Sequence, residues 1–459
     1  MLKAQITFER ILGTFITGAL FAFGSGFYAF EKLLFTACIV FIFTYSAAGQ
    51  EISGSNEQKQ IPVILISGLG GSILSKPSKG KKFEPCRGNP FKNWKRFIKG
   101  ITADGFPKNA VFGDPANLAF KEDGSPDGVV SAKLEPTGFV NLPLPFKDIC
   151  GLSLFLQKNK YKRDVNLFEF YYDFRYSVQD NAKKLELSIE ELRTRHGFSK
   201  INLIAHSLGG LIAKQYLTAK ANADVIDKLI LVGTPNLGAP IALIPIRYGA
   251  NALLPFNIPF LKGCNVKEAF HNAPGFFNLL PGRKYFLLKG GYFIDSDDID
   301  KNGKTGLLDF DETVFNLENG LESKCLENNE KNAEPEKLSK SLLGDEFQKF
   351  TEKRDNWVKP PNVKVYVFAG YGLKTLETIE DQGKKIKLSW TPEGDWIVPL
   401  RSAESIEADK IFYVNMKTLN TNHLSVIGAD SVKKNILSLL QKESIDVCEG
   451  FSCVRPLFK

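Results

Sequence analysis

The feature that most constrains the fold of this chain is a run of small residues between an apolar segment and a helical one. The run is Ala205-His206-Ser207-Leu208-Gly209-Gly210. Ile201 to Ala205 before it reads as a buried strand, and Gly209 to Lys220 after it has helical periodicity. A serine in such a turn needs small residues two positions to either side, because strand and helix approach closely there. The run predicts a nucleophile elbow at Ser207; an ordinary junction with a solvent-capping serine is the alternative.

Further apolar strands and amphipathic helices alternate along the chain. Predicted strands are Ile61 to Ser67, Val165 to Tyr172, Ile201 to Ala205, Lys228 to Val232 and Val363 to Phe368. Predicted helices are Leu152 to Lys160, Asn181 to His196, Gly209 to Lys220 and Ser431 to Gln441. This alternation favours a mostly parallel sheet covered on both faces. Together with the elbow it predicts the α/β-hydrolase fold.

The predicted hydrolase domain runs from residue 49 to 459, with two insertions. A loop-rich lid region spans about 76–150, and a cap-like insertion spans about 241–350. Residues 1–48 are predicted to be a signal peptide or a membrane anchor, because Lys32 precedes the apolar run Leu33 to Tyr45 and the small residues Ser46-Ala47-Ala48. We therefore expect an exported protein that is periplasmic, secreted or anchored facing outside.

The number of cysteines and the net charge give further information on the cellular compartment and the binding partners. Outside the N-terminal segment there are six cysteines, and an even number in an exported chain suggests disulfides, with Cys448 and Cys453 as the easiest pair. The net charge of +8 comes from scattered basic residues. Without an arginine-rich stripe or a nucleic-acid-binding module, the sequence argues against nucleic-acid binding. No protein partner is implied.

A nucleophilic serine needs a base that is oriented by an acid, and in this fold the chain order is serine, acid, histidine. His423, in a polar loop before the last helix, is the predicted base; His271, inside the cap, is the alternative. Asp395, in a turn after the late strands, is the predicted acid. Asp381 and Glu393 are its rivals.

Two backbone N–H groups are predicted to form an oxyanion hole. One belongs to Leu208, directly after the serine, and the other to Leu69 in the glycine loop Gly68-Leu69-Gly70 after the first strand. A phosphate-binding loop is the other interpretation of these glycines. It is weak, because the loop lacks the Lys-Ser/Thr ending of a P-loop.

With these residues placed, the chain resembles the lecithin:cholesterol acyltransferase and lysosomal phospholipase family. The resemblance rests on separated motifs in order: Pro62 to Gly71, Tyr172-Asp173-Phe174-Arg175, Ala205 to Gly209, Gly233 to Gly238, Gly394 to Val398 and Asn422-His423-Leu424. By resemblance, Ser207, Asp395 and His423 fall on the family's triad, and Leu69 and Leu208 on its oxyanion-hole positions. Cys86 and Trp94 look like the start of the family's lipid-contacting lid. Ala205 and Phe174 depart from the family's usual glycine and tryptophan.

The resemblance implies acyl transfer on a lipid ester at a membrane or lipoprotein-like surface, through an acyl-enzyme on Ser207. The segments Phe91 to Ile98 and Ile241 to Phe260 are predicted to dock on a bilayer or to pack as lid and cap helices. A triacylglycerol lipase or carboxylesterase of the same fold is the first alternative. A non-catalytic lipid-binding protein is the second.

An acidic stretch in the cap has the spacing of a calcium loop. Its oxygen-bearing side chains are Asp298, Asp300, Asn302 and Asp309, with Gly303 at the turn. The twelfth position is Asp rather than Glu, and a solvated acidic turn is the alternative. The predicted reaction requires no cofactor, so any calcium here would be structural.

Overall fold

The computed structural model describes residues 60–69, 72–73, 121, 125, 135–136, 149–248, 272–295, 306–319, 343–382, 386–442 and 451–457. These residues all belong to the unit Gln60–Lys459. The predicted N-terminal segment, most of the lid region and part of the cap lie outside the described residues. Within the described part of the chain, no helix is both long and apolar enough to cross a membrane.

The described strands and helices follow in chain order. The strands are β1 (Val63–Ile66), β2 (Ser72–Ile73), β3 (Glu135–Pro136), β4 (Leu167–Phe170), β5 (Ile201–His206), β6 (Ile226–Val232), β7 (Phe293–Asp295), β8 (Gly306–Leu307), β9 (Lys364–Tyr371), β10 (Thr375–Asp381), β11 (Ile386–Thr391) and β12 (Lys410–Asn415). The α-helices are α1 (Ile149–Lys158), α2 (Val178–His196), α3 (Leu208–Tyr216), α4 (Lys220–Ala223), α5 (Pro274–Phe277), α6 (Arg283–Lys289), α7 (Phe310–Asn319), α8 (Asp345–Asp355), α9 (Leu400–Ala403) and α10 (Asp430–Gln441).

The central sheet has six strands in the order β12-β9-β6-β5-β1-β4. Every neighbouring pair in it is parallel. The predicted mostly parallel sheet is therefore confirmed. In a parallel sheet the carboxyl ends of all strands lie at one edge, so the loops that follow β1, β5, β6, β9 and β12 meet there.

Alternating side chains of these strands build two cores, one on each face of the sheet. In β1, for example, Ile64 and Ile66 enter one core and Val63 and Leu65 enter the other. Helices α2 and α3 cover the first face, and α1 and α10 cover the second. Because both faces are buried, the strands are continuous apolar runs, as the sequence indicated.

Helix ends largely follow local signals. The Ser177 side chain accepts a hydrogen bond of 3.0 Å from the N–H of Asp180 and so caps α2, which ends at Gly197 in the left-handed conformation with φ of +70°. The predicted helix after the elbow is shorter than expected: α3 ends at Tyr216, and a separate turn, α4, follows. Strand β6 begins two residues earlier than predicted, at Ile226, where its pairing with Ile201 of β5 starts.

A second sheet of four strands, in the order β11-β10-β7-β8, was not predicted. Strands β7 and β8 come from the predicted cap insertion, whereas β10 and β11 form an antiparallel pair that follows it. The pairing joins segments more than eighty positions apart, which hydrophobic periodicity does not encode.

The C-terminal residues add to the edge of the central sheet. Ser452 bridges Tyr413 of β12 in an antiparallel sense, and Phe451 packs against Phe368 and Phe412. Cys150 and Cys453 are both disulfide-bonded. The predicted partner of Cys453, Cys448, lies outside the described residues, so that pairing stays a prediction.

A buried lysine joins the helix after the elbow to α8. Lys214 is 3% exposed, and its Nζ donates to Oδ1 of Asn236 (3.1 Å) and to the carbonyl of Arg354 (3.4 Å). Burial lowers the pKa of Lys214 to about 7, and the neighbouring Arg354 guanidinium and Lys284 lower it further against the opposing pull of Asp355. As the pH rises, folded Lys214 therefore loses its proton at a much lower pH than the same lysine in the unfolded chain.

Stability is therefore expected to rise with pH between about 7 and 10.5, the window in which the unfolded chain holds a proton that folded Lys214 has lost. A Lys214→Met variant keeps the stem and removes this titration. Urea unfolding across the window should show a flatter pH dependence for the variant, by on the order of 1 kcal/mol per unit of pKa shift. Identical pH slopes for the two proteins would contradict the assignment.

Candidate active site

The strand-to-helix turn holds Ser207 in a strained conformation. Its φ is +52° and its ψ is −125°, a region that a residue with a side chain adopts only when its surroundings enforce it. The N–H of Ser207 donates to the carbonyl of Val232 at 3.0 Å, and the Ser207 carbonyl accepts from Gly210 at 2.9 Å. These two hydrogen bonds hold the turn at the carboxyl edge of the sheet, between β5 and α3.

The close approach of strand and helix explains the glycine two positions after the serine. A Cβ on Gly209 would overlap the carbonyl oxygen of Ser67 and lie 2.8 Å from Cγ2 of Ile66. Both atoms belong to the end of β1 and the loop after it. A residue larger than glycine at position 209 must therefore push α3 away from β1.

We expect Gly209→Ala to lower the free energy of unfolding by about 1–3 kcal/mol, the usual cost of forcing atoms into a packed interior. Gly151→Ala is the matched control, since a Cβ there meets nothing closer than 3.9 Å and the residue lies inside α1. Alanine is expected to raise stability at position 151 by about 0.5–1 kcal/mol. Chemical denaturation of both variants tests the pair, and equal effects at the two positions would refute the steric account.

Three side chains from distant parts of the chain form one hydrogen-bond chain at this edge. The Ser207 Oγ lies 2.9 Å from Nε2 of His423, and Nδ1 of His423 lies 2.7 Å from Oδ2 of Asp395. All three residues are buried, with exposures of 7%, 2% and 0%. Asp395 only accepts, so Nδ1 carries the hydrogen and Nε2 is free to accept the hydrogen of Ser207.

Backbone groups fix the carboxylate. Oδ1 of Asp395 accepts hydrogen bonds from the N–H groups of Ile397 (3.1 Å) and Val398 (2.7 Å). The carbonyl of Asp395 accepts from the N–H of His423 at 3.1 Å, which ties the acid turn to the histidine loop. Two N–H donors on one oxygen leave the other oxygen to orient the imidazole.

The rival side chains have other partners. Asp381 accepts a hydrogen bond from the Tyr248 hydroxyl (2.8 Å) and pairs with Arg247 (3.3 Å). Glu393 lies 3.9 Å from Arg455. Of the two candidate histidines, His423 is the one hydrogen-bonded to Ser207, while His271 falls outside the described residues.

The two predicted oxyanion donors lie near the serine. Leu208 is the first residue of α3, so its N–H has no partner within the helix. Gly68, next to Leu69, is so close to the turn that a Cβ on it would lie 2.9 Å from Cβ of Ser207. The loop after β1 and the start of α3 therefore flank the serine hydroxyl from two sides.

A tyrosine whose role the sequence did not reveal holds the glycine loop. The Tyr172 hydroxyl donates to the carbonyl of Ser67 at 2.9 Å, and burial raises the pKa of Tyr172 well above its ordinary value. Next to it, Asp173 and Arg175 form a buried ion pair of 2.7 Å. The motif that contributed to the resemblance thus supports the loop that carries Leu69.

Of the remaining predicted site residues, the structure describes only Asp309. Trp94 and three members of the predicted calcium loop, Asp298, Asp300 and Asn302, lie outside the described residues. Asp309 caps α7: its Oδ1 accepts from the N–H of Glu312, and its carbonyl accepts from Thr313. No cluster of three or more His, Cys, Asp or Glu able to hold a metal occurs among the described residues, and calcium binding stays a prediction.

A serine hydroxyl bonded to an imidazole that is oriented by a carboxylate can attack a carbonyl carbon. With this geometry established, comparison with known proteins gives the family. The sequence profile of lecithin:cholesterol acyltransferase matches residues 152–391, just over half of the chain. The chain belongs to the lecithin:cholesterol acyltransferase family. The parallel sheet and the strand–serine–helix turn at its carboxyl edge are those of the α/β-hydrolase fold.

Individual relatives cover less of the chain. It is 30% identical over 198 residues to phospholipase A(1) LCAT3 of Arabidopsis thaliana, which is 39% of this chain and 42% of that protein. It is 33% identical over 86 residues to lecithin-cholesterol acyltransferase-like 4 of the same plant, covering 17% of this chain and 16% of that protein. The matches thus span less than half the length of these curated relatives.

Solved structures resemble the fold at low sequence identity. A chain of the Tle4–Tli4 complex aligns with a TM-score of 0.46 and 13% identity, over 83% of this chain and 98% of that one. The mature lipase BlEst2 of Bacillus licheniformis aligns with a TM-score of 0.34 and 12% identity, over 85% of this chain and 96% of that one.

Proposed function

We propose that this member of the lecithin:cholesterol acyltransferase family is a serine-dependent lipid acyl hydrolase or acyltransferase of the phospholipase or O-acyltransferase type. The observation that carries the proposal is the buried chain of hydrogen bonds from Ser207 through His423 to Asp395. Family membership adds the proposed substrate class, since one relative, which matches this chain over 198 residues, is named phospholipase A(1) LCAT3.

The proposed reaction has two steps. Ser207 Oγ attacks the ester carbonyl while Nε2 of His423 takes its proton, and His423 then protonates the leaving alcohol. This forms an acyl-enzyme on Ser207. In the second step water or another alcohol attacks the acyl group, with His423 acting as base and then returning the proton to Ser207. Asp395 holds the imidazole in the required tautomer and stabilises its cation.

The negative charge that develops on the carbonyl oxygen needs donors that are already in place. We assign this role to the N–H groups of Leu208 and Leu69. The N-terminus of α3, nine residues long, adds a favourable field at the same point. Loss of one such donor typically costs about 10²–10³-fold in kcat.

The setting we propose is an exported enzyme at a lipid surface. The apolar N-terminal segment with its small-residue end supports export, and the basic, aromatic segment around Trp94 supports contact with lipid. Water and alcohol compete for the acyl-enzyme, so the acceptor decides between hydrolysis and transfer.

To test the proposal, the protein is incubated with phosphatidylcholine vesicles, with and without a sterol, and the lipid products are separated. We expect fatty acid, or sterol ester when the sterol is present, and neither from Ser207→Ala. Parallel assays use emulsified triacylglycerol and a soluble ester. Turnover of those substrates alone would replace the proposal by a lipase or carboxylesterase, and no acyl product from any lipid would refute it.

A further inference from the structure

The residue before the nucleophile joins two loops of the site. His206, the last residue of β5, is 7% exposed, and its Nε2 lies 2.8 Å from the backbone carbonyl oxygen of His423. The two imidazole rings lie 4.9 Å apart. A carbonyl oxygen only accepts, so Nε2 of His206 carries the hydrogen and donates it.

The opposite side of the His206 ring faces the glycine loop. A Cβ on Gly68 would lie 2.9 Å from Nδ1 of His206 and 2.9 Å from Cβ of Ser207. The ring thus occupies the space between the loop that carries Leu69 and the loop that carries His423. Loss of the ring would leave a gap between these two loops.

The protonation state of His206 suits this position. Burial lowers the pKa of His206 to about 3, and the neighbouring His423 lowers it further. The ring is therefore neutral near neutral pH, with Nε2–H fixed as a donor. A neutral neighbour also avoids repulsion when His423 becomes a cation during the reaction.

We propose that His206 is a positioning residue, whose hydrogen bond from Nε2 to the carbonyl of His423 holds the base in line between Ser207 and Asp395. The inference rests on the proposed function, because it assigns His206 a part in the same site. A positioning role differs from a purely packing role. Packing requires only the volume of the His206 ring, whereas positioning requires its N–H donor.

Three variants separate these roles. His206→Phe keeps an aromatic ring and deletes the donor, and His206→Met fills the pocket with an unbranched chain without a donor. His206→Gln has a similar chain and supplies an amide N–H near the place of Nε2. The readouts are kcat and KM on a soluble short-chain ester, the rate of labelling by a fluorophosphonate, and thermal unfolding of every variant.

The positioning role predicts that the Phe and Met variants lose about 10²-fold in kcat, the typical cost of misplacing a reacting group by about 1 Å. We expect KM to stay within about threefold, since no substrate contact is removed. The kcat of the Gln variant should be at least about tenfold higher than that of the Met variant, whichever of the two has the higher melting temperature. The low-field proton resonance of the His423–Asp395 hydrogen bond should survive in Gln and shift or broaden in Met.

Phe and Met variants as fast as the wild type, or Gln and Met variants equally slow, would overturn the inference while leaving the proposed function intact. A wild type that neither reacts with the fluorophosphonate nor turns over any ester would overturn both. A variant that does not fold is replaced in the comparison by the remaining donor-free variant.

Discussion

Alanine in place of Ser207 is expected to lower kcat for hydrolysis of a phospholipid by about 10⁴-fold or more. The substitution removes only the hydroxyl group, and without this nucleophile no acyl-enzyme forms. The proposed oxyanion donors and the proposed lipid-contacting segments remain, so any residual rate reflects these alone. Binding to vesicles should be unchanged, because the substitution leaves the surface of the protein as it was.

Ser405→Ala is the matched control for this prediction. The Ser405 hydroxyl donates to the carbonyl of Arg401 and takes no part in the hydrogen-bond chain at the site. We expect the control to keep the activity of the wild type. Product formation by Ser207→Ala at a rate comparable with the control would show that another residue is the nucleophile.

Asn in place of Asp395 is expected to lower kcat by about 10⁴-fold at neutral pH, with little change in fold. The amide oxygen can still accept the N–H groups of Ile397 and Val398, so the turn persists. The amide NH₂ would face Nδ1 of His423 and favour the tautomer with hydrogen on Nε2. In that tautomer the imidazole cannot take the proton of Ser207.

The control for Asp395→Asn is Asp381→Asn. Asp381 pairs with Arg247 and the Tyr248 hydroxyl, so this change should lower stability and leave the chemical step within a few fold of the wild type. Steady-state kinetics and chemical denaturation of both variants separate the two effects. A large loss of kcat in Asp381→Asn with none in Asp395→Asn would reverse the assignment of the acid.

The sequence was informative where the constraint is local. The elbow needs a strand, small residues and a helix within some twenty positions, and these are visible around Ser207 without any knowledge of distant contacts. The same holds for Gly197, whose left-handed backbone conformation ends α2. It also holds for the buried strands, whose apolar runs reflect a sheet covered on both faces.

The sequence was less informative where contacts come from far along the chain. Asp381 and Asp395 both lie at or after the end of a strand, and only the three-dimensional structure shows which of them meets His423. The roles of Tyr172 and Lys214 depend on partners more than twenty positions away. No local pattern marks such residues, since burial of a polar group is decided by what the distant segments supply.

The nucleophile is identified directly by reaction of the full chain with a fluorophosphonate, followed by proteolysis and mass spectrometry of the peptides. We expect a single phosphonylated site at Ser207, and no adduct in Ser207→Ala. An unmodified wild type, or an adduct on a different serine, would contradict this expectation.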